Sequence, residues 1–227
     1  EETKKLALIG KLANTAIIGD HGSSWVRPLY VVTPEDGLKK ANADCEVIFD
    51  DGSDLERAKK LAAESDAVVF VVGYNYDDEG EFVSGDQASN YTGAMGGDRK
   101  VSLGLHEDEI KLLQEVGPVN AKSAAVLVGG NMIMMTQWYD CINSVLMAYY
   151  PGMEGGTALA EILYGDVNPS GKLPYVVPYS EDDLPHVDWE ATDQYYEYYH
   201  GYTRLEKNGV KPLVPYGFGL SYTCLLY

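Results

Sequence analysis

The sequence predicts an α/β fold: a three-layer α/β/α sandwich around a mostly parallel sheet of about six strands. Three observations lead there. Short apolar runs recur without polar alternation, as in strands covered on both faces. Amphipathic segments of helical period lie between them. Runs and helical segments then alternate, which is the pattern of βα units feeding a parallel sheet.

In chain order, residues 6–9 (Leu6, Ala7, Leu8 and Ile9) form the first strand, and residues 45–49 form the second. Residues 54–63 place Leu55, Ala58, Leu61 and Ala62 on one helical face. Residues 67–72 are a continuous apolar strand. A helix at 107–116 carries Ile110, Leu112, Leu113 and Val116, followed by strands at 124–128 and 145–149 and a helix at 157–164. The sandwich domain is read as residues 1–185. Residues 186–227 are read as an extended Tyr-rich tail packing on it with one or two strands. Helical periodicity disappears after Leu184, while Tyr195, Tyr196, Tyr198, Tyr199 and Tyr202 crowd together ahead of Pro212 and Pro215.

Composition excludes several function classes. A net charge of -18 repels phosphate backbones, so no nucleic-acid partner is expected, whereas a neutral sugar is not opposed. No apolar run approaches the roughly 20 residues of a membrane helix, and no membrane partner is expected. Cys45, Cys141 and Cys224 form no CxxC or CxH spacing, so neither a zinc site nor a disulfide framework is expected, and no cofactor is implied. Residues 1–5 lead into the first apolar run without a signal-type segment, and no compartment is assigned.

Ligands of open α/β sheets sit beyond the carboxyl ends of the strands, which directs attention to the connections that follow them. The connection after the third strand, residues 74–100, is long enough to suggest function. Glu79 and Glu81 flank Gly80 there, and carboxyl pairs are the standard equipment of glycoside hydrolysis. The competing reading is a solvated acidic surface in an acidic chain. Tyr74, Phe82 and Trp25 are candidate platforms for the apolar faces of sugar rings, against the alternative of ordinary packing. His21, in Asp20-His21-Gly22-Ser23-Ser24, is a candidate substrate contact, whereas His106, His186 and His200 are scattered singly. The stretch from Gly165 to Lys172 is not a phosphate loop, because five residues rather than four separate its glycines and Leu173 replaces the magnesium-binding hydroxyl. No GxSxG nucleophile elbow occurs.

Several strings carry more information than composition. Asp78-Glu79-Gly80-Glu81, Gly97-Asp98-Arg99, Tyr150-Pro151-Gly152-Met153-Glu154-Gly155-Gly156, Gly165-Asp166-Val167-Asn168-Pro169-Ser170-Gly171-Lys172-Leu173-Pro174 and Pro215-Tyr216-Gly217-Phe218-Gly219-Leu220-Ser221-Tyr222-Thr223 occur in that order. Together they resemble the C-terminal sandwich domain of family 3 glycoside hydrolases over nearly the whole chain. The resemblance implies a retaining, exo-acting β-glycosidase of β-glucosidase type acting on terminal β-linked sugars of a glucoside or oligosaccharide. In that family the nucleophilic Asp lies on a (β/α)8-type barrel, expected here in cis or in trans, and the sandwich lends the acid/base Glu. Glu79 matches the family's Glu-Gly step best, with Glu81 its close rival. Asp77 and Asp78 stand where Ser-Gly is common, and residues 82–96 form an expanded insertion. The barrel's Ser-Asp-Trp and Lys-His motifs do not occur in this sequence. The alternative is a non-catalytic carbohydrate-binding α/β module.

Overall fold

The computed structural model describes residues 3–19, 26–80, 99, 102–188 and 191–223. Strands β1 (Lys5–Ile9), β2 (Glu46–Asp50), β3 (Ala67–Gly73), β4 (Ser123–Val128) and β5 (Ser144–Met147) form one five-stranded sheet in the order β2-β1-β3-β4-β5. Every neighbouring pair is parallel. The expected sheet of about six strands thus has five among the described residues. The last one also stops earlier than its apolar run, because Tyr149 turns to φ 54, a left-handed conformation that extended backbone cannot continue through.

The helices are α1 (Pro34–Ala41), α2 (Leu55–Ala63), the single turn α3 (Tyr76–Glu79), α4 (Glu107–Val116), α5 (Gly155–Tyr164) and α6 (Gly201–Asn208). Helix α1 starts at a capping box: the Thr33 hydroxyl accepts from the Asp36 amide, and the Asp36 carboxylate accepts from that of Thr33, with Pro34 at the first position. Asp54 caps α2 by accepting from the amides of Glu56 and Arg57 at 3.0 and 3.1 Å.

Period-2 alternation in the strands sends successive side chains to opposite faces, and each face builds its own core. Ile9, Phe70 and Leu127 pack on one side with Ala58 and Ala62 of α2 and Leu112 and Leu113 of α4. Leu8, Val71 and Val126 pack on the other with Leu38 of α1 and Leu159 and Ala160 of α5. This is the three-layer sandwich. Each fully buried side chain such as Phe70 or Leu8 contributes about 1.5–3 kcal/mol of apolar burial.

The C-terminal segment returns to the sandwich through an antiparallel bridge between Val177 and Val214, whose amides and carbonyls exchange bonds of 2.9 and 3.1 Å. Both valines are buried in the same core as α2 and α4. The segment read as an extended tail with one or two strands also contains α6. Only Leu205 of that helix is buried, so its short sequence carries no legible apolar period. Gly165 is the left-handed cap that ends α5, which disposes of a phosphate loop: the chain there leaves a helix instead of entering one.

Candidate active site

The strand order reverses between β1 and β3, so the crevice of the sheet opens at the carboxyl ends of those two strands. The chain leaves β3 at Gly73, with φ +132; a Cβ there would lie 1.9 Å from the Val128 carbonyl oxygen, so the close approach of β3 to β4 requires glycine. Tyr74 follows, 4% exposed, its amide donating to the Val128 carbonyl at 2.9 Å. The single turn of α3 then forms a small pedestal. The Asn75 carbonyl accepts from the amides of Asp78 and Glu79 at 3.1 Å each, and the Asp78 carboxylate accepts from the Asn75 amide at 3.0 Å. The chain leaves the pedestal at Gly80, where a Cβ would come within 2.6 Å of the Tyr76 carbonyl oxygen.

Glu79 is the hub of this region. Its Oε1 accepts from the Gly130 amide after β4 and from the Tyr150 hydroxyl after β5, the latter at 2.5 Å. Its Oε2 pairs with the Arg99 Nε at 2.9 Å, and the two side chains are only 10% and 7% exposed. Arg99 donates further to the carbonyls of Leu103 and Met132 at 3.2 and 2.9 Å and lies 4.3 Å over the Tyr74 ring. Three strand exits are therefore tied to one carboxylate. Burial, reinforced by the bond to Glu79, raises the Tyr150 hydroxyl well above the usual tyrosine range and keeps it a donor.

Helix α4 closes the site from the β3 side. The His106 Nε2 lies 3.1 Å from the Asp78 Oδ1, and the imidazole packs 5.0 Å from the Tyr74 ring. Glu109 accepts from the Gly73 amide at 3.0 Å through Oε1, while its Oε2 is buried with no hydrogen-bond partner among the described residues. Burial pushes the Glu109 carboxyl up to about 7. No group of three His, Cys, Asp or Glu side chains among the described residues is placed to share a metal ion.

Of the residues singled out from the sequence, Glu79 and Tyr74 are brought together here; His21, Trp25, Glu81 and Phe82 lie outside the described residues. The Tyr74 ring is occupied by Arg99 and His106, which makes it the floor of the Glu79 cluster. Sequence reasoning gave no role to Arg99, Tyr150, Gly130, His106 or Glu109. Arg99 and Tyr150 do fall inside two of the strings that carry the family resemblance, which was the available signal.

Comparison with known proteins gives the family of the chain. The description "Glycosyl hydrolase family 3 C-terminal domain" matches residues 1–222. Thermostable β-glucosidase B of Acetivibrio thermocellus is 32% identical over 238 aligned residues, covering 98% of this chain and 29% of that protein. A β-glucosidase of Bacteroides ovatus is 30% identical, covering 99% and 32%. The chain thus spans under a third of the length of the curated relatives it matches. The crystal structure of a β-D-glucoside glucohydrolase from Trichoderma reesei superposes with a TM-score of 0.84 at 21% identity over 98% of this chain and 33% of the other, a likeness of fold. A sandwich of this topology, matched by that description almost end to end, belongs to the C-terminal domain family of family 3 glycosyl hydrolases.

Proposed function

We propose that this domain serves a retaining, exo-acting β-glycosidase of β-glucosidase type by supplying the general acid/base, while a (β/α)8-type barrel supplies the nucleophilic Asp. A retaining site needs two carboxyl groups about 5–5.5 Å apart across the glycosidic bond. The substrate class is a terminal β-linked glucoside or oligosaccharide, and Trp25, His21 and Phe82 are assigned to sugar contact.

One observation carries the choice of acid/base. Both oxygens of Glu79 are engaged by Arg99, Gly130 and Tyr150, all belonging to the domain itself. A group that must hand a proton to a leaving oxygen and later take one from water has to face the substrate. Glu81, the residue after Gly80 in the sequence, is assigned that role, and Glu79 becomes the anchor of the pedestal that precedes it.

Azide rescue tests the assignment once a cognate barrel is supplied. Glu81→Gln should lower cleavage of alkyl glucosides by about 10²–10⁴-fold. It should leave formation of the glycosyl-enzyme from dinitrophenyl glucoside intact, and azide should then accelerate turnover and yield the β-glucosyl azide. Glu79→Gln should lower activity together with thermal stability and show no rescue. Rescue of Glu79→Gln in place of Glu81→Gln would return the role to Glu79.

A further inference from the structure

Ahead of α6 the chain presents a face that its own domain does not pack. All ten residues from 191 to 200 are exposed and none belongs to a helix or strand, although four of them are tyrosines. Tyr195 and Tyr198 are 90% and 86% exposed, and their neighbours Tyr196 and Tyr199 are exposed as well. Holding such a stretch in one conformation costs backbone entropy that apolar burial ordinarily offsets, and none of the ten side chains is buried. Helix α6 and the segment after it extend the same face: the Tyr202 ring stacks on that of Tyr216 at 4.5 Å, and both residues remain exposed. Arg204 of α6 and Tyr195, Tyr196 and Tyr199 line a groove of about 180 Å³ that Pro185 and His186 also border.

Hydrogen bonds tie this face to the rim of the candidate site. The Arg204 Nε donates to the Asp183 carbonyl at 3.2 Å. Two residues earlier, the Glu181 carboxylate accepts from the Ser102 hydroxyl at 2.9 Å and from the Leu103 amide at 2.8 Å. The Leu103 carbonyl in turn accepts from Arg99, the partner of Glu79.

We infer that the tyrosine face formed by residues 195–202 and Tyr216 is the surface on which the barrel docks. This rests on the reading that a barrel completes the site, and it adds where on this domain that barrel sits. Three observations select the occupant. The Acetivibrio thermocellus and Bacteroides ovatus relatives carry the matching region as 29% and 32% of their length, so more than two-thirds of each is chain that this domain does not contain. A domain joined in that way meets the face at high effective concentration, ahead of any free partner. The path of contacts from Arg204 to Glu79 then puts the face beside the rim that has to meet the domain carrying the nucleophile. Finally, the Lys207 Nζ lies 4.6 Å over the Tyr199 ring, and Tyr202 and Tyr216 cover each other. Three of the rings thus have a face already taken, which leaves edges and hydroxyls to offer, and these suit a protein interface better than the flat apolar face of a sugar ring.

Hydroxyl-radical footprinting of this chain, alone and joined to a cognate barrel, reads the surface without sugar or turnover. Oxidation of Tyr195 and Tyr198 should fall roughly tenfold on joining, as water is excluded from the centre of the interface. Tyr222, exposed at the carboxyl end of α5 with its hydroxyl donating to the Ile162 carbonyl, is the control and should react equally in both forms. Combining Tyr195→Ser with Tyr198→Ser should leave the urea midpoint of the chain unchanged, because neither side chain is packed. The same pair should raise the dissociation constant for a separately produced barrel on the order of a hundredfold and leave kcat at saturating barrel as in the wild type. Val119→Ser, at an exposed apolar position ahead of β4, should leave that constant where it was. Tyrosines as reactive in the joined protein as in the chain alone, or a dissociation constant indifferent to the double variant, would overturn the inference. So would self-association of the isolated chain, or binding of cellopentaose to it, that the double variant abolishes, since the face would then belong to a second copy or to a glucan. If the tyrosines are protected on joining while Glu81→Gln shows no loss of activity, the acid/base assignment fails and the docking face stands. Activity that depends on Glu81 while the tyrosines stay reactive would leave that assignment intact and remove the docking face.

Discussion

Arg99 satisfies three acceptors from three parts of the chain, Glu79, Leu103 and Met132, while its planar face lies on Tyr74. A guanidinium can do this because its donors form a rigid fork and its face stacks; an ammonium offers neither. The pair it makes with Glu79 is nearly excluded from water, so removing one member leaves the other as an uncompensated buried charge. Arg99→Met should cost about 3–5 kcal/mol, and Arg99→Lys a large part of that. The double variant Arg99→Met with Glu79→Gln should recover stability relative to Arg99→Met alone. Urea unfolding at constant m-value checks all three, and a double variant less stable than Arg99→Met would remove the argument from charge. Glu79 and Tyr74 were legible in the sequence, but the contacts that join Glu79 to Arg99, Gly130 and Tyr150 were not. Gly130 and Tyr150 lie 51 and 71 positions from Glu79, and only the parallel arrangement of β3, β4 and β5 brings their ends together.

Among the elements, those that bury a continuous or periodic apolar set were readable, and those held by a few residues were not. Strand β3 and helices α2 and α4 came out close to their sequence boundaries, because Val68 to Val72, Ala58 with Ala62, and Leu112 with Leu113 are the core itself. The α3 pedestal spans four residues held by hydrogen bonds to Asn75, and no hydrophobic pattern announces it. Helix α6 hangs on Leu205, 2% exposed. Leu205→Ala should therefore cost about 2–5 kcal/mol of local stability. The loss should be confined to the returning segment, because the two sheet faces are packed by other helices. Limited proteolysis should cut the variant within residues 191–210 well before the sheet, and simultaneous loss of β3 and β4 protection would show instead that the tail and sandwich unfold as one unit.

At the scale of the whole molecule, the fold class was legible because alternation of strands and helices admits few topologies, and the family was legible from a handful of strings. On the proposed function, half of the chemistry lies on a separate barrel. In the proposed mechanism the acid/base comes from the segment that follows the pedestal after β3, and retaining hydrolysis also requires a carboxylate on the opposite side of the sugar. The isolated chain, whose two cores cover both faces of its sheet, should fold cooperatively and yet hydrolyse aryl β-glucosides no faster than buffer. Activated leaving groups make this test severe, because they need no proton and would reveal any hidden nucleophile among the Asp and Glu side chains of a chain with net charge -18. Turnover should appear only when a cognate barrel is joined to the chain or added to it, with the anomeric configuration retained when product is followed by NMR. Turnover by the barrel-free chain, surviving repeated purification and abolished by Glu81→Gln, would mean that the domain carries both carboxyl groups, and the division of labour proposed for the two domains would have to be abandoned.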